Sequence, residues 1–297
     1  MSARHAATLD RRRQEYHEIV KQNFNPDARI DETIMHQIAI DVPRTAPDTP
    51  LFRDPNVRES LVRILYCWSI RRPASGYVQG INDIVTPFYN VFFDDASGQS
   101  FANNGHDHDD EDDHDCGQDS SRKKTKRLVA LEALQQVEAD SFWCLSLLLD
   151  EIQDNYTFSQ VGISRQLARM REVLLRTDPA LVAHLDRQGV NLIQFAFRWI
   201  NCLLIREFPL HMVVRMWDTY LSEGETGFTV YHIYVCAAFL ARWSEQIQRM
   251  DFQDILLFIQ NPPTAGWNLL DLEMLLSEAY VWKTVFEDSL VHLQHSN

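Results

Sequence analysis

Glycine is scarce in this chain, ten in 297 residues, and none of them builds a phosphate cradle. No GxxxxGK[ST] loop, GxGxxG turn, GxSxG elbow or HExxH pair occurs, which excludes the common nucleotide-binding, hydrolase and zinc-protease signatures. Cysteine is sparse too. The five, at 67, 116, 144, 202 and 236, are odd in number and lack CxxC spacing, so neither a disulfide framework nor a zinc ribbon is expected, but buried free thiols in a reducing compartment. Long apolar runs are missing. The longest, near Val230 to Leu240, is too short to span a bilayer, and no basic-apolar leader opens the chain, so a cytoplasmic protein with at most peripheral membrane association is expected. The sequon at Asn155-Tyr156-Thr157 is then idle. Positive charge is in deficit as well, 28 Lys and Arg against 42 Asp and Glu for a net −14, which opposes binding to nucleic acid.

What is present is apolar residues at helical spacing. Leu192, Phe195, Ala196, Trp199, Ile200, Leu203 and Leu204 repeat the pattern of one buried helix face, and no strand-like alternation competes with it. Further helices are expected near 11–23, 56–69, 81–92, 128–149, 164–177, 211–221, 228–243, 252–260 and 269–285. An irregular all-α fold is expected, and the lack of a fixed internal period argues against a solenoid. One stretch departs from the pattern. From Asp94 to Arg127 apolar residues nearly vanish, His106 to Cys116 is an acidic-histidine run, and Arg122 to Arg127 is basic. Such composition predicts a disordered insertion, and no metal site is assigned to it because nothing preorganises the ligands.

The chemistry concentrates in a pair of short segments, Ile38-Ala39-Ile40-Asp41-Val42-Pro43-Arg44-Thr45 and Gly76-Tyr77-Val78-Gln79-Gly80-Ile81-Asn82-Asp83. They supply an arginine and a glutamine. Those are the side chains that GTP hydrolysis uses when a GTPase is slow alone, a cation for charge on the transferred phosphoryl and an amide to aim the water. Pro43 is expected to push Val42 toward extended backbone and to place Arg44 in a loop or at a helix start. Asp41 either caps the next turn or holds the guanidinium. Tyr77 anchors the second turn by its ring, Gly80 permits close backbone approach, and Asn82 and Asp83 bond the loop.

These segments resemble the TBC family of Rab GTPase-activating proteins. The family patterns I-x-x-D-x-x-R and Y-x-Q-G are met by Ile38, Asp41 and Arg44 and by Tyr77, Gln79 and Gly80. Arg198-Trp199-Ile200, Arg206 to Leu210 and Arg215 to Tyr220 look like the family's second half, and the stretches 75–83, 151–158 and 235–240 look like the branch called TBC domain family member 22, whose members are associated with the Golgi.

The resemblance implies a V-shaped single domain with helical lobes at about 11–165 and 166–290. Its groove would grip a GTP-bound Rab, with Arg44 stabilising charge and Gln79 positioning water. The chain would carry no cofactor of its own, since GTP and Mg²⁺ come with the Rab. The family's opening helix is not seen, and Ser2 to Asp10 look like the linker that would succeed it. The alternative class is a binding module that holds a Rab or an adaptor without accelerating hydrolysis. Trp199, Trp217 and Trp243 read as core, and Arg198, Arg215 and Asp218 as a buried or half-buried network between helices, with partner contact as the lesser reading.

Overall fold

The computed structural model describes residues 3–98, 119–157 and 160–294. They are all-α, as expected: helices joined by short 3-10 turns, with no strand among the described residues. The chain divides into compact units at Leu148/Leu149, earlier than the expected break near 165. The reason is local. The 3-10 turn Gln153–Asn155 packs on α6 (Val161–Thr177), so the residues leading up to α6 belong to the same unit as that helix.

In the first unit, α1 (Ala3–Asn23) begins eight residues before the expected start, and Ala3 to Asp10 are helical rather than a linker. After it come α2 (Glu32–Asp41), α3 (Pro55–Arg71), α4 (Ile81–Ser97) and α5 (Asp119–Glu151). The expected insertion from 94 to 127 is correspondingly shortened. Asp94 to Ser97 finish α4 under a left-handed Gly98 cap, and α5 is helical from Asp119. The acidic-histidine run lies outside the described residues, as do the side chains of the basic cluster.

Polar bonds buried among α1, α3 and α5 hold this unit in register. Tyr16 Oη donates to Glu138 at 2.6 Å, and Arg63 closes a bidentate pair with the same carboxylate at 2.8 and 2.7 Å. Burial and the neighbouring carboxylate push the Tyr16 hydroxyl well above its ordinary pKa, so it remains a donor. The Trp143 indole donates to Arg12 O at 2.7 Å while the Arg12 guanidinium covers its ring.

The second unit contains α6, α7 (Pro179–Gln188), α8 (Ile193–Asn201), α9 (Leu210–Ser222), α10 (His232–Ala241), α11 (Ser244–Ile247), α12 (Phe252–Gln260) and α13 (Leu269–Gln294). Its centre is α10. Ile233 to Leu240 are all but inaccessible, the mark of a helix apolar all round and therefore enclosed, and α6, α8 and α13 cover it. A π-turn, Gly227–Tyr231, leads into α10. Only glycine fits its first position, because a Cβ there would stand 1.9 Å from the Tyr220 carbonyl oxygen. Asn155 of the sequon is buried and receives a bond from Gln166, so the fold withholds it from modification.

His232 is fully buried in this core. One ring nitrogen lies 3.1 Å from Tyr220 Oη and the other 3.2 Å from Trp199 O, a pairing that suits a neutral imidazole donating to the carbonyl and accepting from the phenol. Burial lowers its pKa to about 4. Below pH 6.5 the unfolded imidazole takes a proton that the folded one refuses until about pH 4, so this group lowers stability across that window and has no effect above it. Urea unfolding at pH 7 and pH 4.5 should show the native chain losing roughly 2–3 kcal/mol more than His232→Gln, whose amide does not titrate. Equal losses would show that the buried imidazole is not the titrating group.

Candidate functional site

The last turn of α2 and the residues after it present Arg44. Asp31 starts α2 by accepting from the Thr33 and Ile34 amides, and its own amide donates to Tyr66 Oη of α3 at 2.8 Å. Pro43 supplies no amide to prolong the helix, and the chain tightens into a 3-10 turn over Val42–Arg44. Ile38 is fully buried and fixes the face on which α2 sits. Asp41 does not cap the turn. It holds the guanidinium, with Arg44 Nη2 donating to Oδ1 at 2.6 Å while Arg44 Nε donates to Ile40 O at 3.1 Å. The arginine side chain is 62 % exposed and the aspartate 9 %. A pair with so exposed a cation is worth at most about 1 kcal/mol, so Asp41 aims Arg44 without trapping it. Ala46 comes next but one in left-handed backbone, φ 40°, a conformation that costs a non-glycine residue roughly 1–2 kcal/mol.

The second segment is an irregular turn between α3 and α4. Gly80 begins α4 with φ 107°, open to glycine alone at little cost, and Gln79 is exposed immediately before it. Asp83 in the first turn places its charge at the positive end of the helix. Pro87 inside α4 leaves the Asp83 carbonyl without its usual amide donor, and Thr86 Oγ1 donates to that oxygen at 2.7 Å instead.

Buried side chains link the segments. Tyr77 Oη donates to Asp41 Oδ2 at 2.9 Å, so one carboxylate serves both the tyrosine and Arg44. Thr45 Oγ1 donates to Asp41 O at 3.1 Å and accepts from Asn82 Nδ2 at 3.0 Å. Asn82 Oδ1 accepts from the Gly80 amide at 3.1 Å. Asp41, Thr45, Tyr77, Gly80, Asn82 and Asp83 are all buried, whereas Arg44 and Gln79 are exposed. The arrangement is a rigid polar base under an exposed cation and an exposed amide, each able to donate to a ligand brought from outside.

The remaining candidates lie in the second unit and form no single network. Arg198 makes a bidentate pair with Glu207, 2.7 and 2.9 Å, and reaches Gln260 O. The Glu207 side chain is 1 % exposed, and burial raises its pKa against the pull of Arg198. Arg215 pairs separately with Glu273 at 2.7 Å and donates to Thr219. Trp217 is core, its indole 3.4 Å from Leu203 O. Asp218 is exposed and belongs to neither pair, which corrects the expected network. α9 turns its Met216 and Trp217 inward and Asp218 outward. The carboxylates Glu207 and Glu273 were not singled out from the sequence, since nothing in their spacing from the arginines marks them as partners. Among the described residues there is no metal-ligating cluster and no helix long and apolar enough to cross a membrane.

The family model described as the Rab-GTPase-TBC domain matches residues 4–248. The GTPase-activating protein gyp1 of Schizosaccharomyces pombe is 46 % identical over 298 residues, 99 % of this chain and 54 % of that protein. TBC1 domain family member 22B of Homo sapiens is 44 % identical over 293 residues, 97 % of this chain and 54 % of its own length. The chain thus spans about half the length of these curated relatives. The crystal structure of the Ypt/Rab-GAP domain of Gyp1p superposes with a TM-score of 0.80 at 42 % identity, covering 95 % of this chain and 82 % of that one.

The arginine pairs of the second unit should differ sharply on truncation. Arg198→Ala leaves a carboxylate buried without its cation and should cost about 3 kcal/mol or more, whereas Arg215→Ala, from a half-exposed pair, should cost about 1 kcal/mol or less. Chemical denaturation at pH 7 measures both, and equal costs would refute this assignment of the buried pair.

Proposed function

The chain belongs to the Rab-GTPase-TBC domain family, and from that premise we propose that it is a GTPase-activating protein for a Rab-family small GTPase, supplying Arg44 and Gln79 to the Rab's active site. The observation that carries this reading is the exposed Arg44 guanidinium, aimed by a buried carboxylate that also binds the tyrosine of the Gln79 turn. Arg44 stabilises the charge that develops on the γ-phosphoryl group, and Gln79 orients the attacking water in place of the Rab's own glutamine. GTP and Mg²⁺ arrive with the Rab, and no covalent intermediate forms on this chain. Groups supplied in this way accelerate hydrolysis by about 10³ to 10⁵, or roughly 4–7 kcal/mol of barrier. The proposal extends to a role in vesicle trafficking with peripheral association at Golgi membranes, and the family resemblance supports it.

Phosphate release from a panel of GTP-loaded Rabs, with this protein substoichiometric, tests the proposal. A responsive Rab should lose about 10³-fold of its stimulation with Arg44→Ala, and Arg44→Lys should restore little because an ammonium lacks the planar fork. GTP-dependent binding without turnover would instead mark an effector module.

The division of labour between the side chains is tested separately. A Rab whose switch glutamine is replaced by alanine should still be stimulated by the native chain and should lose that stimulation with Gln79→Ala. An altered Rab that no longer responds, beside a wild-type Rab that does, would return the water-positioning role to the Rab.

A further inference from the structure

Neither Thr45 nor Asn82 is a fixed letter of the motifs around Arg44 and Gln79, and neither is exposed. Thr45 is 1 % accessible and Asn82 3 %, so neither touches an incoming protein directly. Their side chains nevertheless bridge the Arg44 segment and the turn that carries Gln79. Asn82 Nδ2 donates to Thr45 Oγ1 at 3.0 Å, and Asn82 Oδ1 accepts from the Gly80 amide at 3.1 Å. The Thr45 hydroxyl spends its own proton on Asp41 O at 3.1 Å, and this fixes its lone pairs toward the amide. The Gly80 amide can only donate and the Asp41 carbonyl can only accept, so the direction of the bonds between them is fixed.

Resting on the proposed function, we propose that Asn82 and Thr45 are positioning residues, whose buried hydrogen bond makes Arg44 and Gln79 enter the Rab site as one preset unit. Arg44 and Gln79 stand on separate backbone segments, and the exposed Arg44–Asp41 pair sets only the local aim of the arginine. Register between them must come from the backbone segments beneath. A displacement of about 1 Å at a catalytic group costs on the order of 100-fold, so a bond that fixes the separation of those segments acts on the transition state more than on the encounter.

Thr45→Val keeps the shape and deletes the hydroxyl, Thr45→Ser keeps the hydroxyl, and Asn82→Ala removes the whole amide, with its bonds to Thr45, Gly80, Tyr77 and Asp83. With a Rab that responds to the native chain, Thr45→Val and Asn82→Ala should each lower the maximal stimulated rate about 10- to 100-fold. Affinity for that Rab loaded with a non-hydrolysable GTP analogue should stay within about 3-fold, while affinity for the GDP–aluminium fluoride form falls with the rate. Thr45→Ser should restore the rate. The double variant should be no slower than the slower single, because either substitution already deletes the bond that Thr45 and Asn82 share. Circular dichroism melts that remain cooperative show that the variants fold. If Asn82→Ala fails to fold, Thr45→Val against Thr45→Ser decides. Stimulation that survives Thr45→Val, or a loss that appears equally in GTP-analogue affinity, overturns the inference while the proposed function stands. Absence of stimulation by the native chain from every Rab overturns both.

Discussion

Asp41 is the constraint around which the first unit's exposed chemistry is arranged. A carboxylate so little accessible is stable only if its oxygens are occupied, and they are occupied from different directions, by Arg44 in its own turn and by Tyr77 from beyond α3. Burial therefore does the organising. Because the charge must be satisfied where it sits, the Tyr77 turn is tied to α2 and the guanidinium is aimed although most of it is in water. The backbone contributes as well, since Ile40 and Asp41 carbonyls take up Arg44 Nε and the Thr45 hydroxyl.

The second unit uses similar materials to a different end. Its buried carboxylate, Glu207, is enclosed with Arg198, and its carbonyl accepts from Thr264 at 2.6 Å. Its fully buried histidine, His232, is sealed between a phenol and a carbonyl. Desolvation raises the acid's pKa and lowers the base's, so both are driven toward neutrality. Groups held in this way are part of the packing. The contrast separates function from architecture: in the first unit the polar base carries exposed tips, and around Glu207 and His232 it does not.

Much of this was legible in the sequence, and the exceptions have physical causes. α12 occupies its expected span because Asp251 caps its start and Asn261-Pro262-Pro263 close its end. α2 and α7 were not expected. Both are ten residues long, and the signals that mark them are at their ends: Asp31 before α2, and Asp178-Pro179 and Gly189 on either side of α7. The motif side chains could be named from the sequence, and so could the alternatives open to Asp41, but not which alternative it takes. That depends on Tyr77, 36 residues away, and distance along the chain says nothing about which hydroxyl meets which carboxylate. The same holds for Glu273, 58 residues from Arg215. Asp218 was misplaced because its neighbours in the motif are core, and a helix carries adjacent residues to different faces.

Pro87 sets a boundary in α4. The backbone ladder lacks a rung there, and the replacement is a threonine hydroxyl. Backbone bonds resist opening cooperatively along a helix, whereas a hydroxyl can rotate away on its own. The first turn of α4, which carries Asn82 and Asp83, is therefore separable from the longer stretch beyond Pro87. Disturbance of the Gln79 turn can relax within a few residues and leave the rest of the helix, with its buried Tyr89, undisturbed. The proline acts as a firebreak, so the turn bonded to α2 and the buried remainder of the helix are continuous in one element but held by different bonds.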